Sequence, residues 1–190
     1  MKTRQIIFNG SYFSKKPTGI SVVSEQLAKY LNQNLLSLYA PFPVGNSHFI
    51  KLPDTLDPEL GLRAHIKRLY WTQYKLSRIL KNNKDSILFS PLPEAPLIKN
   101  TKTIVLVHDL MALRLKDYSL LYPYHRFYVP LVLKNATKVL CNSNETAIEV
   151  KQLLKIPDKK IEIIKLGFNN TNFIPSNITR EPFLLIIARH

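Results

Sequence analysis

The sequence predicts an α/β domain: a mostly parallel, Rossmann-like sheet with helices on both faces. Two observations carry this. Short apolar runs such as Thr103–Val107 alternate with longer segments whose apolar residues recur at helical spacing, the pattern of strands joined by crossover helices. The runs IVLV and EIIK lack strict apolar–polar alternation, as expected of strands covered on both faces. In such open sheets, ligands bind in the crevice outside the carboxyl ends of the strands.

Taken in order, Gln5–Phe8 reads as the first strand, and the loop after it carries Lys15, Lys16 and Pro17. A helix from about Gly19 to Asn32 follows, with Ile20, Val23, Leu27 and Leu31 at helical spacing. Leu35–Leu38 and His48–Leu52 are expected strands, separated by Pro41, Pro43 and Gly45. The longest helix is expected over about 58–81, with Leu62, Ile66, Leu69, Leu76 and Leu80 inward and Gln73 interrupting the stripe. Its cations Arg63, Lys67, Lys75 and Arg78 then point outward, with Trp71 and Tyr74 nearby.

Ser86–Phe89 is an expected strand that stops at Ser90–Pro96, a loop stiffened by three prolines. The strand Thr103–Val107 runs into His108 and Asp109. Tyr118 to Asn135 is expected to be helical, with Pro123 and Pro130 as points of breaking or kinking. Lys138–Cys141 reads as a strand, Asn144–Leu154 as a helix and Ile161–Ile164 as a strand.

Composition bounds the function. With 190 residues, 45% hydrophobic and 21% charged, the chain has the make-up of a globular domain with a proper core. No apolar run approaches the roughly 20 residues needed to span a bilayer. The N-terminal ten residues hold only a three-residue apolar patch, which suits a first strand better than a secretory signal. A lone cysteine, Cys141, leaves no disulfide framework and no thiolate metal cluster. A cytoplasmic location is therefore expected, and the Asn-x-Ser/Thr triplets at Asn9, Asn135, Asn144, Asn169 and Asn177 carry little meaning. Twenty-seven Lys and Arg against thirteen Asp and Glu give a net charge of +14, so an anionic partner or substrate is expected.

Four constellations stand out. His108–Asp109 ends an inner strand, either as a helix cap beside a core-edge histidine or as part of a binding site. In Cys141-Asn-Ser-Asn-Glu145 a strand leads into a helix; Asn142 or Ser143 can cap it, with Glu145 closing a capping box on Asn142. The same helix start suits an anion. In Lys15-Lys-Pro-Thr-Gly-Ile20, one glycine at a helix start lets the backbone approach a phosphate, although it is far short of a dinucleotide fingerprint. Finally, the basic–aromatic helix 63–78 is either a solvated face or a surface for anionic lipid headgroups. His48, His65, His108, His125 and His190 lack metal-ligand spacing, and no nucleophile elbow appears.

The order of these motifs resembles the N-terminal domain of family-four glycosyltransferases, which have the two-domain GT-B fold. The resemblance rests on Gly19-Ile20, the Ser90–Pro96 loop, Val107-His-Asp-Leu-Met-Ala-Leu113 and the aromatic helix behind it. Asn135–Thr146 and Lys160–Asn169, with Phe173 and Pro175 following, complete it. It implies sugar transfer from a nucleotide-sugar donor to a glycan or lipid-linked acceptor, of hexosyl type, with retention and without a metal or other cofactor. It further implies a catalytic role for His108 and substrate or donor contacts for Gly19, Asp109, Ser143, Asn144 and Arg189.

By the same resemblance, residues 1–169 form the acceptor-side domain, 170–181 an interdomain linker, and 182–190 the first strand of a donor-binding domain. The chain alone is then expected to be inactive. A separate chain carrying the donor domain is a candidate partner, and the strand Phe183–Ile187 a self-association edge. Three departures from the family pattern are Ser21-Val22 in place of an arginine or second glycine, Asn169 in place of an aspartate, and Ala188 in the glycine's place before Arg189. The rival readings are a non-catalytic scaffold and an anionic-surface or nucleic-acid binder. No nucleic-acid reader motif is present, so nucleic acid is not the expected partner.

Overall fold

A computed structural model describes residues 4–16, 18–115, 119–167 and 182. Seven parallel strands form one sheet: β1 (Ile6–Asn9), β2 (Leu36–Ala40), β3 (His48–Lys51), β4 (Ile87–Ser90), β5 (Lys102–Val107), β6 (Lys138–Cys141) and β7 (Ile161–Ile163). Their order across the sheet is β3-β2-β1-β4-β5-β6-β7, so the chain works outward from β1 in one direction and then from β4 in the other. The strand order therefore reverses between β1 and β4, where open α/β sheets place their crevice.

The side-chain period of two explains why continuous apolar runs were needed. Ile7, Leu88, Val105, Val107, Val139 and Cys141 enter one core cluster, and their neighbours Phe8, Phe89, Ile104 and Leu140 enter the other. The second face is covered by α1 (Gly19–Tyr30) through Leu27, Ala28 and Leu31. The first is covered by α2 (Leu62–Trp71) and α3 (Ser77–Asn82), then α5 (Val129–Asn135) and α6 (Asn144–Leu154). The short α4 (Met111–Arg114) lies between β5 and α5 in the chain. Helices thus cover both faces, as expected.

Most strand expectations hold to within a residue or two, but the long helix differs in phase. Between α2 and α3 the helix passes through a π-helical segment, Thr72–Leu76. A π turn inserts an extra residue, so one 3.6-residue stripe cannot describe both halves. Leu76 and Leu80 face inward as expected, whereas Leu62 and Ile66 are exposed and the buried face of α2 is Ala64, His65, Arg68 and Trp71. Trp71 stacks at a tilt on Tyr39 inside the core and is no surface aromatic.

A second π segment, Tyr124–Tyr128, precedes α5. It lies between Pro123 and Pro130, and the helical run continues from Tyr122 to Asn135 without a break. Pro130 has no N–H to give to the preceding turn, and it occupies the start of α5 just after the widened turn.

At α6 the cap is Ser143, whose Oγ accepts from Thr146 N at 3.1 Å. Glu145 consequently falls at the second helical position, so the expected capping box with Asn142 does not form. The expected linker, Asn169, the strand Phe183–Ile187 and Arg189 lie outside the described residues.

Candidate functional site

A cavity of about 630 Å³ opens at the carboxyl ends of the central strands. Tyr12 and Ile20 from the β1–α1 connection, His65 and Arg68 from α2, Leu92–Glu94 from the proline loop, His108–Leu110 after β5, and Tyr124 from the second π segment all line it. Among the described residues, no group of His, Cys, Asp and Glu could hold a metal ion.

The inner wall is a buried polar cluster. Arg68 Nε donates to Glu94 Oε2 at 2.8 Å and Nη2 donates to Glu94 Oε1 at 3.1 Å, a forked pair. The guanidinium also lies 4.9 Å from the centroid of the Tyr12 ring, and Tyr124 donates its hydroxyl to Glu94 Oε1 at 3.3 Å. Burial opposes the charge on Arg68, but the Glu94 carboxylate, through its charge and hydrogen bonds, more than offsets this and holds the guanidinium above its ordinary pKa. Burial, and then the Glu94 charge, push the Tyr124 phenol well up, so it remains a donor.

His65 belongs to the same cluster. Arg68 Nη2 donates to its Nδ1 at 2.9 Å, which leaves the proton of the neutral ring on Nε2. Nε2 is buried without a hydrogen-bond partner among the described residues. Burial, the largest influence, lowers the pKa of His65 against the pull of Glu94.

The proline loop is fixed from several sides. Asn9 Nδ2 donates to Ser90 Oγ and to the Glu94 carbonyl, and Ser90 Oγ donates to that same carbonyl at 2.8 Å. Gln73 in the first π segment donates to the Ala95 carbonyl and to the Tyr128 hydroxyl, and accepts from Leu97 N. Tyr128 in the second donates to the Ala95 carbonyl at 2.8 Å. Both widened helical turns therefore hold one loop, and Gln73, which looked like a break in an apolar stripe, is its clamp. Asn9 is itself buried, so its glycosylation triplet is closed.

His108 stands on this loop. Its Nε2 donates to the Pro91 carbonyl at 3.1 Å, so the neutral ring presents Nδ1 as an acceptor. Burial lowers its pKa most, against the Pro91 bond and the nearby Asp109 charge, so the ring is neutral near pH 7. Asp109 Oδ1 accepts from Met111 N at 3.0 Å, so Asp109 starts the next turn while its exposed carboxylate still borders the cavity. The turn-starting role of Asp109 and a place for both residues at the cavity are thus compatible.

Of the other expected site residues, Gly19 starts α1, where the Thr18 side chain makes no capping bond. A Cβ added there would meet nothing within 4 Å, so the space over this helix start is open. Ser143 and Asn144 do not line the cavity. Ser143 is committed to its cap, and the Thr146 hydroxyl that it contacts reaches the His108 carbonyl at 3.2 Å. Arg189 lies outside the described residues. Cys141 is buried, with its thiol pushed up to about 11 by that burial, and so is unsuited to act as a nucleophile.

The residues missed from sequence are Arg68, Glu94, Tyr12 and Tyr124, with His65 dismissed as a ligand only. One signal was available: Glu94 is an acidic residue inside an otherwise apolar, proline-stiffened loop, and such a group needs a cation.

In its details the site offers acceptors and donors for a polyhydroxylated ligand, with apolar walls from Leu92, Leu110, Leu121 and Val129. Three crystal structures of Anabaena HepE match the fold. The complex with UDP and glucose has a TM-score of 0.58 and 14% identity over 92% of this chain and 48% of that one. The UDP-glucose complex gives 0.57 and 13% over 92% and 46%. The UDP complex gives 0.54 and 15% over 88% and 45%. The chain thus spans about half the length of these proteins. No curated protein sequence matches. The sequence profile of Glycosyltransferase Family 4 matches residues 17–171, which is most of the chain. The chain belongs to Glycosyltransferase Family 4, and its parallel sheet is the Rossmann-like half of a GT-B fold.

Proposed function

We propose that the chain supplies the acceptor-side wall of a sugar-transfer site, in which a hexose passes from a nucleotide-sugar donor to a glycan or lipid-linked acceptor. The observation that carries this reading is His108, a neutral imidazole held on the Pro91 carbonyl at the carboxyl end of an inner strand, with a free acceptor nitrogen beside the cavity. Such a group orients a sugar hydroxyl by accepting its proton in a hydrogen bond, and it adds no charge that would need desolvating. His108 is thus the catalytic residue of this reading, with Asp109 as a second acceptor.

Breaking the anomeric bond leaves negative charge on the departing diphosphate. Backbone N–H groups at the open start of α1, approached over Gly19, favour that charge by position and helix dipole. Arg189 would add a cation from the donor side, and Ser143 and Asn144 act through the dipole of α6 rather than by their side chains. Transfer with retention and without a metal ion completes the reading. The site of reaction is the inner face of a membrane, which the exposed cations Arg63, Lys67, Lys75 and Arg78 favour.

The test is transfer by a protein that contains both this chain and a donor-binding half, with UDP-glucose as the first donor tried, because HepE binds it. His108→Ala is expected to lower kcat at least about a hundredfold with the fold intact. Unchanged transfer in that variant would overturn the assignment and favour a scaffold.

A further inference from the structure

The cavity and the chain differ in the sign of their charge. The chain carries a net +14, yet beside three histidines the ionisable groups of opposite sign that line the cavity are Arg68, Glu94 and Asp109. Arg68 and Glu94 lie 2.8 Å apart and cancel as a pair. That leaves the carboxylate of Asp109, which is exposed. Its Oδ1 accepts from Met111 N, while Oδ2 has no hydrogen bond and no cationic partner among the described residues. Burial draws two of the histidines, His65 and His108, toward the neutral form.

Many of the cations sit at the other end of the sheet. Lys102 and Lys138 open β5 and β6, and Lys159 and Lys160 lead into β7. From Lys102 to Val107 a strand runs about 17 Å. That is twice the Debye length of about 8 Å at physiological salt, so those lysines are screened from a ligand at the strands' carboxyl ends. A space of about 630 Å³ is roughly 9 Å across, which keeps any bound hexose within about one Debye length of Asp109. The local carboxylate therefore outweighs the distant cations there.

The hydrogen-bonding capacity has the same bias. His108 Nδ1 is an acceptor, because Nε2 donates to the Pro91 carbonyl, and Asp109 Oδ2 is another. Hydroxyl groups supply donors to such a pair, whereas carboxylate and phosphate groups supply only further acceptors.

We propose that the cavity selects its sugar by charge. His108 Nδ1 and Asp109 Oδ2, on consecutive residues, accept from hydroxyls of an uncharged sugar, and the Asp109 carboxylate repels a sugar that carries a carboxylate or phosphate. That this sugar is the acceptor of transfer rests on the transferase reading above; its selection by charge does not.

The test uses methyl hexosides that differ only at C6: methyl glucoside, its glucuronide and its 6-amino-6-deoxy analogue. Their dissociation constants for the chain are read from ligand NMR line broadening at about 0.15 M salt and about pH 8, where an ordinary imidazole is uncharged. The glucoside is expected to bind at least about fivefold more tightly than the glucuronide, and the amino analogue at least as tightly as the glucoside. In Asp109→Asn the glucuronide should come within about twofold of the glucoside. The amide still accepts from Met111 N, so thermal melts should be unchanged. His108→Ala should weaken the glucoside at least about threefold, which locates it in the cavity.

Equal affinity for glucoside and glucuronide would overturn the proposal, as would tighter binding of the glucuronide. Discrimination that survives in Asp109→Asn would remove Asp109 from the role. No binding of any probe, or glucoside binding that His108→Ala leaves untouched, would overturn the pocket itself. In a protein with both halves, equal kcat/KM for neutral and uronate acceptors would overturn this proposal while the transferase reading stands. Selective binding by a protein that transfers to neither would support the selection while that reading fails.

Discussion

The two sides of the cavity hold polar groups in opposite conditions. On the inner wall the buried Arg68 and the half-buried Tyr124 both bond the buried Glu94 carboxylate, so these groups are committed to one another. At the strand-end rim His108 and Asp109 each make one bond that sets their orientation and keep further capacity toward the cavity. The difference is between groups committed to the fold and groups with bonding capacity left over. A buried group that is satisfied internally stiffens the wall, and a half-buried group with one bond left over is free to meet a ligand.

The comparison can be broken most forcefully at Arg68. Arg68→Met leaves the Glu94 carboxylate buried without its cation, so unfolding free energy should drop by about 3–5 kcal/mol in urea titration. A loss under about 1 kcal/mol would mean that water already reaches the pair, and the contrast between the walls would fall.

Ser143→Ala tests the expected site residue that the structure assigns to capping. It should cost about 1 kcal/mol in the same titration and leave transfer unchanged, because its hydroxyl serves Thr146 N. A selective loss of transfer would return Ser143 to the site.

A pH series sharpens the contrast further. His65 and His108 both have folded-state pKa values below the ordinary 6.5, chiefly through burial. As pH falls the unfolded chain takes up protons first, so the stability these rings contribute is complete above 6.5 and is lost below it, through their folded values. The urea midpoint should therefore fall between about pH 7.5 and about pH 5, and the double variant His65→Gln/His108→Gln should flatten that slope. An equal slope in that variant would show that other groups carry it.

The smallest expected change in stability is that of His108→Ala, about 1 kcal/mol or less, since it removes one partly exposed hydrogen bond. The same variant should have the largest effect on transfer. Read together with Arg68→Met, it separates the wall that holds the site from the rim that uses it.

Much of this protein was fixed by local sequence. Strands placed by apolar runs, such as Thr103–Val107 and Lys138–Cys141, appear where expected because a strand covered on both faces needs little beyond a short apolar run. The arrival of His108–Asp109 at a strand's carboxyl end followed from the same parallel alternation. Domain membership followed from the order of motifs, and the match over residues 17–171 accords with it.

What tertiary structure decided was which polar residues go inside. Arg68 and Lys67 are neighbours with similar local propensities, yet one is buried and the other exposed. The choice depends on Glu94, a residue 26 positions away, being brought opposite by a proline loop. The two π segments likewise have no helical-period signature; each carries a side chain, Gln73 or Tyr128, that donates to one carbonyl, that of Ala95. Period and composition report the average cost of burial, whereas pairing across the fold determines which charge has that cost offset.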